Sequence, residues 1–205
     1  MLNVRYVIAM NSSRDYIIDK AYELFLQKSY EGVSISDISE AVGMTKGALY
    51  HHFTNKEDLF KAVIDKYLVF PDVRVDVENT PLYRFNEIVV DEIHRMLRNM
   101  FAPNVTFVPI HYITMISDAL RHYPGFKEDK ERYIEEKTKV IRRIIECAVD
   151  RKEIRSDVNT DTLARLYLSI AMGLAGNLII KNYSVDESIA LLREQIYQIY
   201  QLLKV

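Results

Sequence analysis

The chain has 205 residues, 49% of them hydrophobic and 27% charged, with a formal net charge of −2. That length supports a sizeable core and excludes a disordered polyelectrolyte, and it suits a small domain followed by a larger one. The single cysteine excludes an intramolecular disulfide and fits a reducing, cytoplasmic compartment.

In chain order, Leu2 to Met10 is apolar but carries Arg5 and is too short for a typical signal peptide. Residues 1–10 are expected to be a flexible extension, because Met10-Asn11-Ser12-Ser13 would itself open the chain well. A first helix follows, with Ile17, Ala21, Leu24 and Phe25 on one side. Ser34 stands three residues before Asp37, so hydroxyl and carboxylate can satisfy each other's orphan amides at the start of a second helix that turns Ile35, Ile38 and Ala41 inward. Gly43 ends it with the left-handed backbone a sharp turn needs, and Thr45 caps another short helix at once. Lys46, Gly47, Tyr50 and His51 fall on the leading, outward surface of that helix, with Leu49 and Phe53 opposite. Asn55 then caps a helix running toward Leu68, with Lys56 at its first position, its amide set to receive an anion.

Two short helices joined by a tight turn are the pattern of a helix-turn-helix. A helix that enters a DNA major groove by its N-terminal end tolerates neither carboxylates nor bulky apolar groups there. No acidic residue lies between Glu40 and Glu57, while Lys46, Lys56, His51 and His52 supply donors and Gly47 allows close approach. The overall charge argues less for nucleic acid: up to Phe70 there are eight Lys plus Arg against nine Asp plus Glu. Affinity would then rest on a few phosphate contacts, on dimerisation and on low salt.

The run Gly43-Met-Thr-Lys-Gly-Ala-Leu-Tyr-His-His-Phe-Thr-Asn-Lys-Glu-Asp-Leu-Phe60 resembles the signature of TetR/AcrR-type bacterial transcriptional regulators. The resemblance covers roughly Ser13 to Val63 and says little about the remaining two thirds. Helix geometry and resemblance together assign Lys46, Gly47 and Tyr50 to bases or nearby backbone of double-stranded DNA, and Thr45, His51 and Lys56 to phosphates. Ser34 is either a further phosphate contact or a pure cap.

Beyond Tyr67 the chain keeps reading as helix, with breaks at Pro71 to Pro81, Ala102 to Asn104, Tyr123 to Gly125, Lys152 to Asn159 and Asn182 to Val185. The expected fold is all-α, about nine helices: a helix-turn-helix DNA-binding domain over 11–68, then a helical effector-binding and dimerisation domain over 69–205. No apolar stretch reaches the length of about 20 residues that crosses a bilayer, so no membrane partner is expected. Leu163, Leu166, Ile170 and Leu174 form one stripe and Ile189, Leu192, Ile196 and Ile199 another. The resemblance implies that these last helices make a homodimer, as a palindromic operator requires; alternatively both stripes close the chain's own core.

Phe85, Met96, Met100, Phe107, His111, Tyr112 and Met115 belong to a dense aromatic and methionine set that suits either a pocket for a small, largely apolar effector or plain core. Cys147 is either a redox-sensing thiol or, more commonly, a small buried hydrophobe. His94, His111 and His122 lack paired metal-ligand spacing, and no triad or glycine-rich phosphate loop is present, so neither a metal, another cofactor nor catalysis is expected. The resulting expectation is a ligand-responsive transcriptional repressor that binds a palindromic operator as a homodimer. The alternative is a DNA-binding regulator controlled by a protein partner.

Overall fold

A computed structural model describes residues 4–68, 72–100, 109–181 and 183–205. Among these are nine helices and no strand: α1 Val4–Lys28, α2 Ile35–Val42, α3 Lys46–Tyr50, α4 Lys56–Tyr67, α5 Leu82–Met100, α6 Pro109–His122, α7 Phe126–Asp150, α8 Thr160–Ile180 and α9 Val185–Leu203. The all-α class read from the periodicity is the class found. Because α1 begins at Val4, most of the expected flexible extension is helical instead.

The chain divides into two compact units, one of Met1–Val69 with Pro103–Phe126, the other of Phe70–Ala102 with Lys127–Val205. The expected boundary after residue 68 therefore changes, for α6 packs with the N-terminal helices. Its Met115 and Ala119 are buried in the same core as Ile17, Phe25, Leu49, Leu59 and Phe60. Aromatic rings set the spacing of that core: Phe25 meets Phe60 edge-on at 5.1 Å, and Tyr22 lies flat on Tyr67 at 3.7 Å. Each such ring contributes on the order of 2 kcal/mol by leaving water.

The second unit is built from α5, α7, α8 and α9 around Leu82, Phe85, Ile144, Ile145, Tyr167 and Leu192. Its helices start where the chain can satisfy their orphan amides. Glu153, in the turn after α7, accepts the Leu82 and Tyr83 amides at 3.0 and 3.1 Å, so a carboxylate sits on the positive end of α5. Ser184 and Glu187 form a capping box on α9.

The stripe assigned to a dimer lies elsewhere than expected. Leu163, Leu174, Ile189, Leu192 and Ile196 are buried in the second unit's own core, with Ile170 and Ile199 packed against it, and only Leu166 is exposed. Three- and four-residue spacing marks any buried helix face and does not say which chain buries it. The expectation about apolar stretches also fails, since α8 is long and apolar enough by length and composition to cross a membrane. One side of α8 is core, through Leu163, Ala164, Tyr167, Leu174 and Leu178; on the other, Leu166, Met172 and Ile180 are exposed.

Candidate nucleic-acid interface

The helix-turn-helix is held by caps that the sequence spells out. The Asp37 amide donates to Ser34 Oγ at 3.2 Å, and the Ser34 amide donates to Asp37 Oδ2 at 2.8 Å. The Ser34 hydroxyl also donates to that carboxylate, and this bond, more than the nearby Lys28 ammonium, holds the Asp37 carboxyl below its usual range. Gly43 takes φ 67°, its amide reaching back to Glu40 O while the Met44 amide reaches Ser39 O at 3.0 Å. Ser39 closes the turn from inside, its hydroxyl donating to Met44 O. Thr45 then accepts from the Ala48 amide at 3.2 Å and starts α3.

One face of α3 anchors it and the other is open. Leu49 and Phe53 are 1% and 2% exposed, with the Arg14 guanidinium over the Phe53 ring at 4.7 Å. Thr45, Lys46, Gly47, Tyr50 and His51 are all exposed, Tyr50 by 51%. A methyl group added at Gly47 would meet only Thr45 Oγ1, at 3.9 Å, so the protein itself places no demand for glycine there. Lys46 makes no ion pair among the described residues, so its ammonium is available to a polyanion.

The Lys56 side chain corrects the sequence reading of it as a free donor, while its backbone amide still opens α4. Its ammonium donates to Tyr30 O at 2.9 Å and Val33 O at 3.0 Å and sits 3.9 Å from the centre of the Tyr30 ring. It therefore ties α4 to the turn that leads into α2, and its charge is spent within the fold. The same tyrosine is also held from α6. The His122 ring of α6 stacks on it at 4.2 Å, and buried Asp118 accepts its amide at 2.8 Å. His122 Nε2 is 3.1 Å from Glu31 Oε1 but not in line for a hydrogen bond. Sequence reading missed Tyr30 and Asp118, because their partners lie far along the chain. Ser34 is a cap whose hydroxyl is already committed at both ends.

The expected effector residues do not come together within either unit. Phe85 is buried and Met96 half-buried in the second, whereas Met115 is buried and Tyr112 packed against the core of the first. His111, half-buried on α6, belongs to the first unit; Phe107 and the Met100 side chain fall outside the described residues. Burial pushes the Tyr112 hydroxyl up to about 12, so it stays protonated at any physiological pH. Cys147 is buried, its thiol donating to Glu78 at 3.3 Å and raised above the usual thiol range mainly by burial, the opposite of what a reactive thiolate needs. Among the described residues, no three His, Cys, Asp or Glu side chains are grouped so as to hold a metal ion.

A capped two-helix turn that offers a short, acid-free helix while burying that helix's apolar side is a helix-turn-helix DNA-binding domain, and the comparisons place it. Residues 17–63 match the family described as bacterial regulatory proteins, tetR family, so the N-terminal helices are similar to that family's DNA-binding domain. It is 51% identical over 55 residues to the HTH-type transcriptional repressor ComR of Escherichia coli K12, which covers 27% of this chain and only 26% of that relative. The Transposon Tn10 TetC protein of Escherichia coli is 26% identical over 164 residues, 78% of this chain and 79% of TetC. A TetR transcriptional regulator from Chloroflexus aurantiacus J-10-FL shares the fold with a TM-score of 0.62 at 23% identity, covering 93% of this chain and 96% of that one. The N-terminal likeness is thus close and local, and the rest is shared chiefly as architecture.

Proposed function

We propose that this chain is a transcriptional repressor acting in the cytoplasm, which binds a palindromic operator as a homodimer and lets go when a small, largely apolar molecule binds its second unit. The observation that carries the proposal is α3: a helix fixed by Leu49 and Phe53 that offers Lys46, Gly47, Tyr50 and Thr45 outward with no carboxylate among them. Five residues make too few base contacts for a specific complex, so two copies must read two half-sites about one helical turn apart. The exposed side of α8, with Leu166, Met172 and Ile180, is the surface suited to join them, since the inward stripes are already occupied. Repression is the sense carried over from ComR. Effector release requires a molecule that prefers one arrangement of the chain over the other.

The test is operator binding. With a sequence selected from random DNA, Lys46→Ala and Tyr50→Phe should each weaken binding by about tenfold or more while leaving unfolding within about 1 kcal/mol, as expected for exposed positions. Parent-like binding by both variants would remove α3 as the reading surface.

A further inference from the structure

The second unit contains a groove between α5 and α9 that none of the expected effector residues lines. Its volume is about 540 Å³, within the usual range for small-molecule sites. Tyr83, Val90, Ile196, Tyr197 and Tyr200 form apolar walls. The Tyr83 and Tyr200 rings stand 6.4 Å apart at 57°, a wedge open to a flat ring.

The polar lining distinguishes this groove from a gap between helices. Asn86 is 6% exposed; its Nδ2 donates to the Tyr167 hydroxyl at 3.3 Å, and its Oδ1 has no partner among the described residues. Tyr167 is itself buried, its hydroxyl pushed up to about 12 and so always neutral. With Nδ2 turned to the Tyr167 hydroxyl, the end left over is the acceptor Oδ1, which calls for a donor. A fully enclosed amide end without a partner is uncommon and costly. Of the charges around the groove, Arg193 pairs with Asp91 at 2.8 Å and Glu87 with Arg84 at 2.7 Å, while exposed Glu194 accepts from the neutral Gln198 amide at 2.7 Å.

We propose that this α5/α9 groove binds a neutral, flat, aromatic small molecule carrying one N–H or O–H donor, which pairs with Asn86 Oδ1. Two rim charges are paired and the third, Glu194, is exposed to solvent, where an ionic contact is worth little; tyrosine walls favour a ring. Tyr83 and Tyr197, both about half exposed, line the groove together with Asn86, and one of them must change rotamer for the ligand to reach the enclosed amide. As the place where an effector acts, the groove rests on the regulator reading above; as a binding site it stands without it.

N-phenyl-α-naphthylamine has this chemistry, two aromatic systems and a single N–H, and it fluoresces in apolar surroundings. The full-length protein should bind it at one molecule per chain. Its analogue methylated on nitrogen should bind about threefold to tenfold more weakly, the worth of one hydrogen bond. Asn86→Leu should erase that difference, and Tyr197→Ala, a change at the exposed rim, should weaken both compounds alike. The proposal is overturned if the parent protein binds neither compound, if Asn86→Leu preserves the preference for the N–H, or if binding appears only on dilution, which would mean that a second copy covers the groove. Operator binding measured on the same samples separates the two readings. Its loss with probe binding intact sinks the regulator, and the reverse pattern sinks the groove.

Discussion

Lys46 and Lys56 carry the same ammonium at the starts of two successive helices, yet only the first is available to a polyanion. Lys56 grips two carbonyls and a ring inside the fold. Lys56→Ala should therefore cost about 1–3 kcal/mol of stability, visible as a lower thermal midpoint, and should lower DNA affinity only by way of that loss. Gly47→Ala works in the opposite sense. The site is open, so the helix should keep or gain stability, by up to about 1 kcal/mol, while operator binding falls because the added methyl meets DNA. Undiminished binding by Gly47→Ala would mean that the α3 backbone is not closely approached. Gly32 contrasts with both: a Cβ there would lie 2.2 Å from the Lys28 carbonyl oxygen, and Gly32→Ala should destabilise by about 1–3 kcal/mol or more. Chemical denaturation of the three variants would order them.

Helices whose ends are written in local code were legible from the sequence. Ser34 with Asp37, Gly43, Thr45 and Asn55 act where their types and spacing placed them, because caps depend on neighbours within one turn. The Asp37 carboxyl is held low in the folded chain, so its contribution is present above its ordinary value near 4 and is lost as pH falls through the depressed one. Acid unfolding of the parent should accordingly lose this capping contribution below about pH 4, and Asp37→Asn should show a shallower acid limb, the other depressed carboxyls keeping theirs; matching acid limbs in the two proteins would count against the capping box. What the sequence did not disclose was which partner each apolar face meets. Leu192 and Met172 both sit in apolar helices, yet one is 1% exposed and the other 59%. Asn86 gave a signal that went unread, a polar residue four positions from both Leu82 and Val90 on the buried side of α5.

For the whole molecule, the uneven burial of α8 and α9 separates folding from assembly. Leu192→Ala removes a buried side chain and should cost about 2–5 kcal/mol, whereas Met172→Glu, on the outer side of α8, should leave the fold intact and shift the protein from dimer to monomer in sedimentation. Should Met172→Glu sediment like the parent, the joining surface lies elsewhere. The scarcity of basic residues in the N-terminal region, where acidic ones outnumber them, also has a readable effect. With few lysines and arginines to displace counterions, operator affinity should fall less steeply with salt than it does for strongly basic DNA-binding proteins, by about 0.9 in the logarithmic slope for each phosphate engaged.

The grip of α6 on Tyr30 bears on where this protein can be cut. A fragment ending after Leu68, the natural choice for anyone wanting a minimal DNA reader, would leave behind Asp118, His122, Met115 and Ala119. It would strip one wall from its own interior and leave the Tyr30 amide without its acceptor. Such a truncation should be protease-sensitive and loosely packed even though every residue that faces DNA is still in it.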